Sequence, residues 1–222
     1  MRIYLEAMGC RLNAAEAETL ARQFSSAGYH VIQDPTLAET IVLNSCAVTD
    51  QAVRKAERRL RALHRANPEA GLAVIGCWAT ADQARVGAIE GVRWVVPNAD
   101  KATTVARVLS DGQDFTVHAL QPGLAPWAPG RWGHTRAFLG IQDGCDHACT
   151  YCVTHVLRGP GRSLPLGEVV ATAQARACAG AQEIVLTGVS LGSYGHDLGL
   201  QDGLARLVAA ILAETDVPRL RL

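Results

Sequence analysis

The strongest constraint in this chain is a repeated context. Three apolar runs, "RIYLEAMGC", "TIVLNSC" and "GLAVIGC", each end within about two residues of a cysteine, at Cys10, Cys46 and Cys77. Each run has strand length, and each is followed by a helical pattern. "NAAEAETLARQFSSAG" places Leu20, Ala21 and Phe24 on one stripe, and Asn13 and Glu16 have the spacing of a capping pair at its start. "TDQAVRKAERRLRALHRANP" puts Val53, Ala56, Leu60 and Leu63 on one face. A helix around residues 82–88 and a strand "VRWVVPN" continue the alternation. Strands alternating with helices predict an α/β fold with a largely parallel sheet. The carboxyl ends of parallel strands share one edge, where open α/β sheets bind ligands, so three thiols delivered there should converge. The plainer alternative is three unrelated cysteines in an apolar core, where cysteine is common.

"LQPGLAPWAPGRWGH" breaks the pattern with three prolines and three glycines. It predicts an N-terminal domain over residues 1–118, a linker over 119–134 and a second domain over 135–222. Trp127 and Trp132 in the linker suit either a buried domain junction or base stacking. The second domain restarts the alternation: "RAFLGIQ", helix "LGEVVATAQARACAG", "EIVLTGV", helix "DGLARLVAAILAET" and "RLRL". A parallel sheet needs more than three strands to bury its faces, so this domain reads as the truncated start of a larger one.

At the head of the second domain stands "IQDGCDHACTYCVTHVLRGPGRS", with Cys145, Cys149 and Cys152 at C-x3-C-x2-C. Thiolates are soft ligands for zinc or for iron–sulfur clusters. Zinc would want a closed set of four, which His147 or His155 could complete. A four-iron cluster held by three thiolates leaves one iron open for another molecule. Of seven cysteines, Cys178 is left over and reads as a packed helix residue. An odd total in a reducing compartment argues against a disulfide frame. The chain has no apolar run of membrane length and no secretion signal, so the expectation is a cytoplasmic protein without membrane contact. The charges balance at 21 basic and 21 acidic residues, so any nucleic-acid contact must come from a local patch. The row Arg54, Arg58, Arg61 and Arg65 is such a patch, suited to RNA phosphate or simply to solvent. Arg158 and Arg162, flanking "GPG", could pair with phosphate or with a carboxylate.

C-x3-C-x2-C with Tyr151 before its last cysteine resembles the radical S-adenosylmethionine signature. Together with "GCRLNAAEAE", "NSCAVT", "VIGC" and "RGPGRS", it resembles the methylthiotransferase family over essentially the whole chain. "GCRLN", "CAVT" and "LTGVSLGSYG" are most similar to the branch that acts on threonylcarbamoyladenosine in tRNA. The branches for isopentenyladenosine tRNA and for a ribosomal protein read closer to "GCQMN" and "GCPKN". The resemblance implies an α/β N-terminal domain followed by the first strands and helices of a partial (β/α) barrel. It implies two 4Fe–4S clusters, one on Cys10, Cys46 and Cys77 and one on Cys145, Cys149 and Cys152. S-adenosyl-L-methionine would bind beside Tyr151, Thr187 and Gly188. The implied reaction is C–H activation and methylthio insertion at adenosine C2 next to the anticodon. Its partners would be the tRNA anticodon stem-loop and an electron donor such as flavodoxin or ferredoxin. The truncated chain alone is expected to turn over poorly. An inactive fragment and a zinc-binding module are the other readings. Two places depart from the family: "VTHV" follows the last cluster cysteine, and Ser190 stands where the branch commonly has aspartate.

Overall fold

The computed structural model describes residues 1–110 and 136–222, so the linker reading over 119–134, with Trp127 and Trp132, lies outside the described residues. The chain divides into two compact units, Met1–Ala125 and Pro126–Leu222.

The first unit runs β1 (Arg2–Ala7), α1 (Arg11–Ser26), β2 (His30–Ile32), β3 (Thr40–Ser45), α2 (Asp50–Ala66), β4 (Gly71–Gly76), α3 (Cys77–Ala81), α4 (Gln83–Gly87), β5 (Val92–Val96) and α5 (Thr104–Leu109). Its five strands pair in the order β2-β1-β3-β4-β5, and every pairing is parallel. The central strands β3 and β4 are buried along their whole length, which explains their unbroken apolar character. Successive side chains alternate between two cores. Ile41, Leu43, Leu72 and Val74 meet Ala56, Leu60 and Leu63 of α2 on one face. Val42, Ala73 and Ile75 meet Leu20 and Phe24 of α1 and Val105 of α5 on the other.

Three local features go beyond the sequence reading or differ from it. The short edge strand β2 has too little apolar patterning to be read from sequence. Asn13 and Glu16 do not cap α1, because Cys10 holds the N-cap position without a side-chain bond. Asn13 is instead fully buried and donates to the carbonyls of Met8 (2.7 Å) and Ser45 (3.2 Å). The helix expected around 82–88 is α4, and a further short helix, α3, precedes it, beginning at Cys77 itself.

The second unit contains β6 (Ala137–Gly140), β7 (Gln142–Asp143), α6 (Thr154–Arg158), β8 (Arg162–Ser163), α7 (Leu166–Cys178), β9 (Ile184–Thr187), α8 (Gly203–Glu214) and β10 (Leu220–Arg221). β6, β9 and β10 form a parallel sheet in chain order, each strand beside the next, as in an α/β barrel. β7 and β8 form a small antiparallel pair that closes the cysteine loop. Val169, Val170 and Ala173 of α7 and Leu207 and Ile211 of α8 cover one core over Leu139, Ile184 and Leu186. Cys178 is exposed at the end of α7, not packed, because the buried stripe of that helix passes through Ala173 and Arg176 instead.

Candidate functional site

In the first unit, strand order reverses direction between β1 and β3, the switch point at which ligands bind in open α/β sheets. Cys10 and Cys46 leave the sheet there. The Met8 N–H donates to the Asn44 carbonyl at 2.9 Å, carrying the pairing of β1 with β3 past the end of β1. Ser45 and Gly76 are register partners, so Cys46 and Cys77 follow at equivalent positions on adjacent strands. Gly9 makes the closest approach. Its φ of +102° lies in the left-handed region, and a Cβ there would stand 2.5 Å from the Cβ of Cys46. Only glycine lets the β1 exit lie against the β3 exit.

Beneath these exits lies a network of buried amides. The Cys10 thiol donates to Asn13 Oδ1 at 3.4 Å. Asn44 Nδ2 donates to the Asn13 carbonyl (3.0 Å) and to Glu16 Oε2 (2.9 Å), and the same Glu16 oxygen pairs with Lys101 Nζ at 2.7 Å. Asn98 Nδ2 donates to Cys77 Sγ at 3.5 Å. Cys77 is only 3% exposed, Cys46 is half-buried and Cys10 is exposed. The set therefore grades from the interior outward. Sequence reasoning gave Asn13 a capping role and passed over Asn44 and Asn98; the signal available was a polar Asn44 inside the apolar run "IVLNS".

In the second unit, Cys145, Cys149 and Cys152 lie on the loop between β7 and α6, all half-buried and free of disulfides. Cross-links fix the loop at its base. The Cys145 N–H donates to the Gly159 carbonyl at 3.0 Å, and the Cys152 N–H to the Cys149 carbonyl at 3.0 Å. Gly144 has φ +72°, and a Cβ there would run into the carbonyl of Pro160, so the outgoing and returning strands touch. Arg158, 4% exposed, pairs with Asp143 at 2.7 Å, and Arg162 reaches the same carboxylate at 3.8 Å. Of the two partners the sequence allowed, Arg158 therefore has the carboxylate, from its own loop. The Cys152 thiol is held below the usual thiol range, chiefly by the hydrogen bond from the Thr154 hydroxyl, then by the N–H groups of Thr154 and His155. A lowered thiol favours the thiolate, the form that binds metal.

The loop after β9 reaches the same place. Gln142 is buried and donates through Nε2 to the Gly144 carbonyl (2.8 Å) and the Asp143 carbonyl (3.1 Å). Its Oε1 accepts from the Ser190 N–H at 2.8 Å. A Cβ on Gly188 would stand 3.0 Å from that Oε1. Gln142 thus ties the cysteine loop to the Gly188–Ser190 turn, a role the sequence did not suggest. Thr187 is buried and spends its hydroxyl on the Leu139 carbonyl at 3.2 Å, so any contact with a ligand would come through its backbone. Tyr151 is 89% exposed and Val156 66%, so the cysteine loop carries an uncovered apolar rim.

Among the described residues, no three His, Cys, Asp or Glu side chains are close enough to hold a single metal ion. The chemistry of the donor sets, three thiols outside any disulfide in each unit, fits iron–sulfur ligation.

Residues 2–96 match a sequence family described as "Uncharacterized protein family UPF0004". The chain is 30% identical over 215 residues to the threonylcarbamoyladenosine tRNA methylthiotransferase MtaB of Rickettsia prowazekii, covering 96% of this chain and 49% of the relative. With the protein of the same name from Thermotoga maritima it is 33% identical over 215 residues, covering 94% and 48%. With the tRNA-2-methylthio-N(6)-dimethylallyladenosine synthase of Dehalococcoides mccartyi it is 32% identical over 232 residues, covering 98% and 48%. The chain thus spans about half the length of the curated relatives it matches. Its fold resembles that of the radical S-adenosylmethionine methyltransferase TsrM from Kitasatospora setae, solved with cobalamin and a 4Fe–4S cluster. The TM-score is 0.60 at 14% identity, over 98% of this chain and 54% of that one. Residues 2–96 thus fall in the UPF0004 sequence family, and the chain is similar over nearly its whole length to about half of each of these tRNA methylthiotransferases.

Proposed function

We propose that this chain acts in tRNA methylthiolation, on N6-threonylcarbamoyladenosine next to the anticodon. The observation that carries this reading is the pair of cysteine triads outside any disulfide, one at the exits of three parallel strands and one on the loop closed by β7 and β8. Cys145, Cys149 and Cys152 would hold one 4Fe–4S cluster, and Cys10, Cys46 and Cys77 a second. When bound, the clusters and S-adenosyl-L-methionine supply one-electron reduction, C–H activation and methylthio transfer. An electron donor of the flavodoxin or ferredoxin kind would supply the electrons.

The chain's own residues do the positioning. Gly144, Asp143 and Arg158 fix the base of the cysteine loop, and the Thr154 hydrogen bond keeps Cys152 ready to lose its proton. Gln142 holds the Thr187–Gly188 turn against that loop, where the backbone of the turn can meet a bound cofactor. Tyr151 and Val156 offer an apolar wall that an adenine would cover, and covering it excludes water from the reacting centre. In the first unit, binding at Cys10 would displace the proton the thiol now donates to Asn13, so uptake there releases protons.

The choice of threonylcarbamoyladenosine rests on "GCRLN", "CAVT" and "LTGVSLGSYG" and on the names of two relatives. The Dehalococcoides relative, at similar identity, supports dimethylallyladenosine as the second reading. The test is to supply the anaerobically reconstituted chain with S-adenosylmethionine, a reductant and tRNA carrying either adenosine. Formation of 5′-deoxyadenosine and the nucleoside that gains a methylthio group are then measured. The proposal expects deoxyadenosine that disappears in Cys145→Ala, and a methylthio group on the threonylcarbamoyl nucleoside. Modification of the dimethylallyl nucleoside alone would reassign the substrate, and no deoxyadenosine would overturn the reading.

A further inference from the structure

The surface of α2 is the most concentrated charge in the described residues, although the chain as a whole is neutral. α2 carries Arg54, Lys55, Arg58, Arg59, Arg61 and Arg65 against Asp50 and Glu57. Arg59 is spent inside the fold: it grips Glu6 at the end of β1 through Nε (2.8 and 3.0 Å) and a terminal nitrogen (2.7 Å). The others behave differently. Arg54, Lys55, Arg58, Arg61 and Arg65 are all exposed. Among the described residues, Arg54, Lys55, Arg58 and Arg65 form no ion pair. Glu57, 14% exposed, lies between helices and splits its two oxygens between Arg61 (2.7 Å) and Arg85 of α4 (2.8 Å). One carboxylate thereby props two guanidinium groups outward.

These side chains line two adjoining hollows. One, of about 500 Å³, is bounded by Gln51, Arg54, Glu57, Arg58 and Arg61. The next, of about 580 Å³, includes Glu57, Arg61, His64, Arg65, Arg85 and Glu90. They share Glu57 and Arg61, so they join into one trough along the helix. From Arg54 to Arg65 the row spans about 16 Å at the usual helical rise. α2 begins four residues after Cys46, so the trough starts at the cysteine edge of the sheet and leads away from it. No large apolar side chain of α2 is exposed, which disfavours insertion into a lipid surface.

We infer that the α2 trough docks the phosphate backbone of RNA and leads it toward the Cys10–Cys46–Cys77 edge. A row of exposed arginines, three of them without an ion pair among the described residues and Arg61 held outward by Glu57, suits a polyanion held through its backbone and not its bases. This rests on the tRNA reading above, but the two can fail separately. The experiment measures binding of a fluorescent anticodon stem-loop RNA to the chain by anisotropy across a salt series. The compared forms are the wild type, the triple variant Arg54→Gln/Arg58→Gln/Arg65→Gln and Glu57→Gln. None of the three exchanged arginines has an ion pair to lose, so the melting temperature should stay put. The triple variant is expected to weaken binding at least tenfold near 0.1 M salt. Its log–log salt slope should fall by about 2–3, at roughly 0.7–0.9 per lost phosphate contact. Glu57→Gln should tighten binding by releasing Arg61 and Arg85. Replacing Arg219 and Arg221 in the second unit by Gln should leave affinity unchanged. Wild-type affinity and slope in the triple variant would overturn the inference. So would a wild type that binds anionic vesicles but not RNA, or neither. Loss of deoxyadenosine formation with RNA binding intact would instead count against the catalytic reading alone.

Discussion

The two units reach the same donor set by opposite routes. In the first, each cysteine comes from a different strand, and 31 or more residues separate one from the next. Their meeting depends on the strand register and on a buried amide network beneath them. In the second, the three lie within eight residues of one loop, whose shape depends on its own cross-links. The first site is a property of the sheet; the second is a property of a loop mounted on one. A lesion in the sheet of the first unit should therefore damage site and fold together, whereas a lesion in the loop should empty its site and leave the fold standing.

The sharpest way to break this contrast is Gly144→Ala. The left-handed backbone and the carbonyl of Pro160 leave no room for a Cβ. Reconstituted iron should fall to about half, all of it lost from the loop set, while the melting temperature of the first unit holds. Loss of all iron would show that the sites are not independent. Asp143→Asn should come next. It leaves Arg158 buried without its charge partner, at a cost of about 3 kcal/mol, toward the low end for buried pairs because Asp143 is partly exposed. Denaturant melts of the second unit would read it.

Asn44→Ala probes the other side of the comparison. It removes two hydrogen bonds, to the Asn13 carbonyl and to the Glu16 carboxylate, at about 1–3 kcal/mol, with Lys101 still holding Glu16. Because Asn44 is in the sheet, stability and iron uptake by Cys10, Cys46 and Cys77 should fall together; iron loss at unchanged stability would contradict the account. The smallest effect belongs to Thr49→Ala. Its hydroxyl caps α2 by accepting from the Ala52 N–H at 3.1 Å, worth about 1 kcal/mol. That change should lower stability without touching either iron set.

The parts legible in the sequence were those dictated by local pattern. "TIVLNS" is β3 residue for residue, and Val53, Ala56, Leu60 and Leu63 do face the core. The positions of Cys10, Cys46 and Cys77 at strand exits followed from the same alternation. The asparagines did not, because their roles depend on the neighbouring strand: Asn13 capped nothing once Ser45, 32 positions away, and the nearby Met8 offered it carbonyls. For Arg158 the sequence offered phosphate or a carboxylate without deciding between them; the turn folds the arginine back onto Asp143, just ahead of the first loop cysteine. Cys178 looked buried because its neighbours are small and apolar, but periodicity places it one step off the packed stripe.

The most direct test of the account is iron and acid-labile sulfide per chain after anaerobic reconstitution, with zinc measured alongside and Cys46→Ala and Cys145→Ala in parallel. Two independent clusters predict about eight irons per chain, with about half remaining in each variant. Zinc without sulfide, or about four irons unaffected by one of the two exchanges, would contradict it.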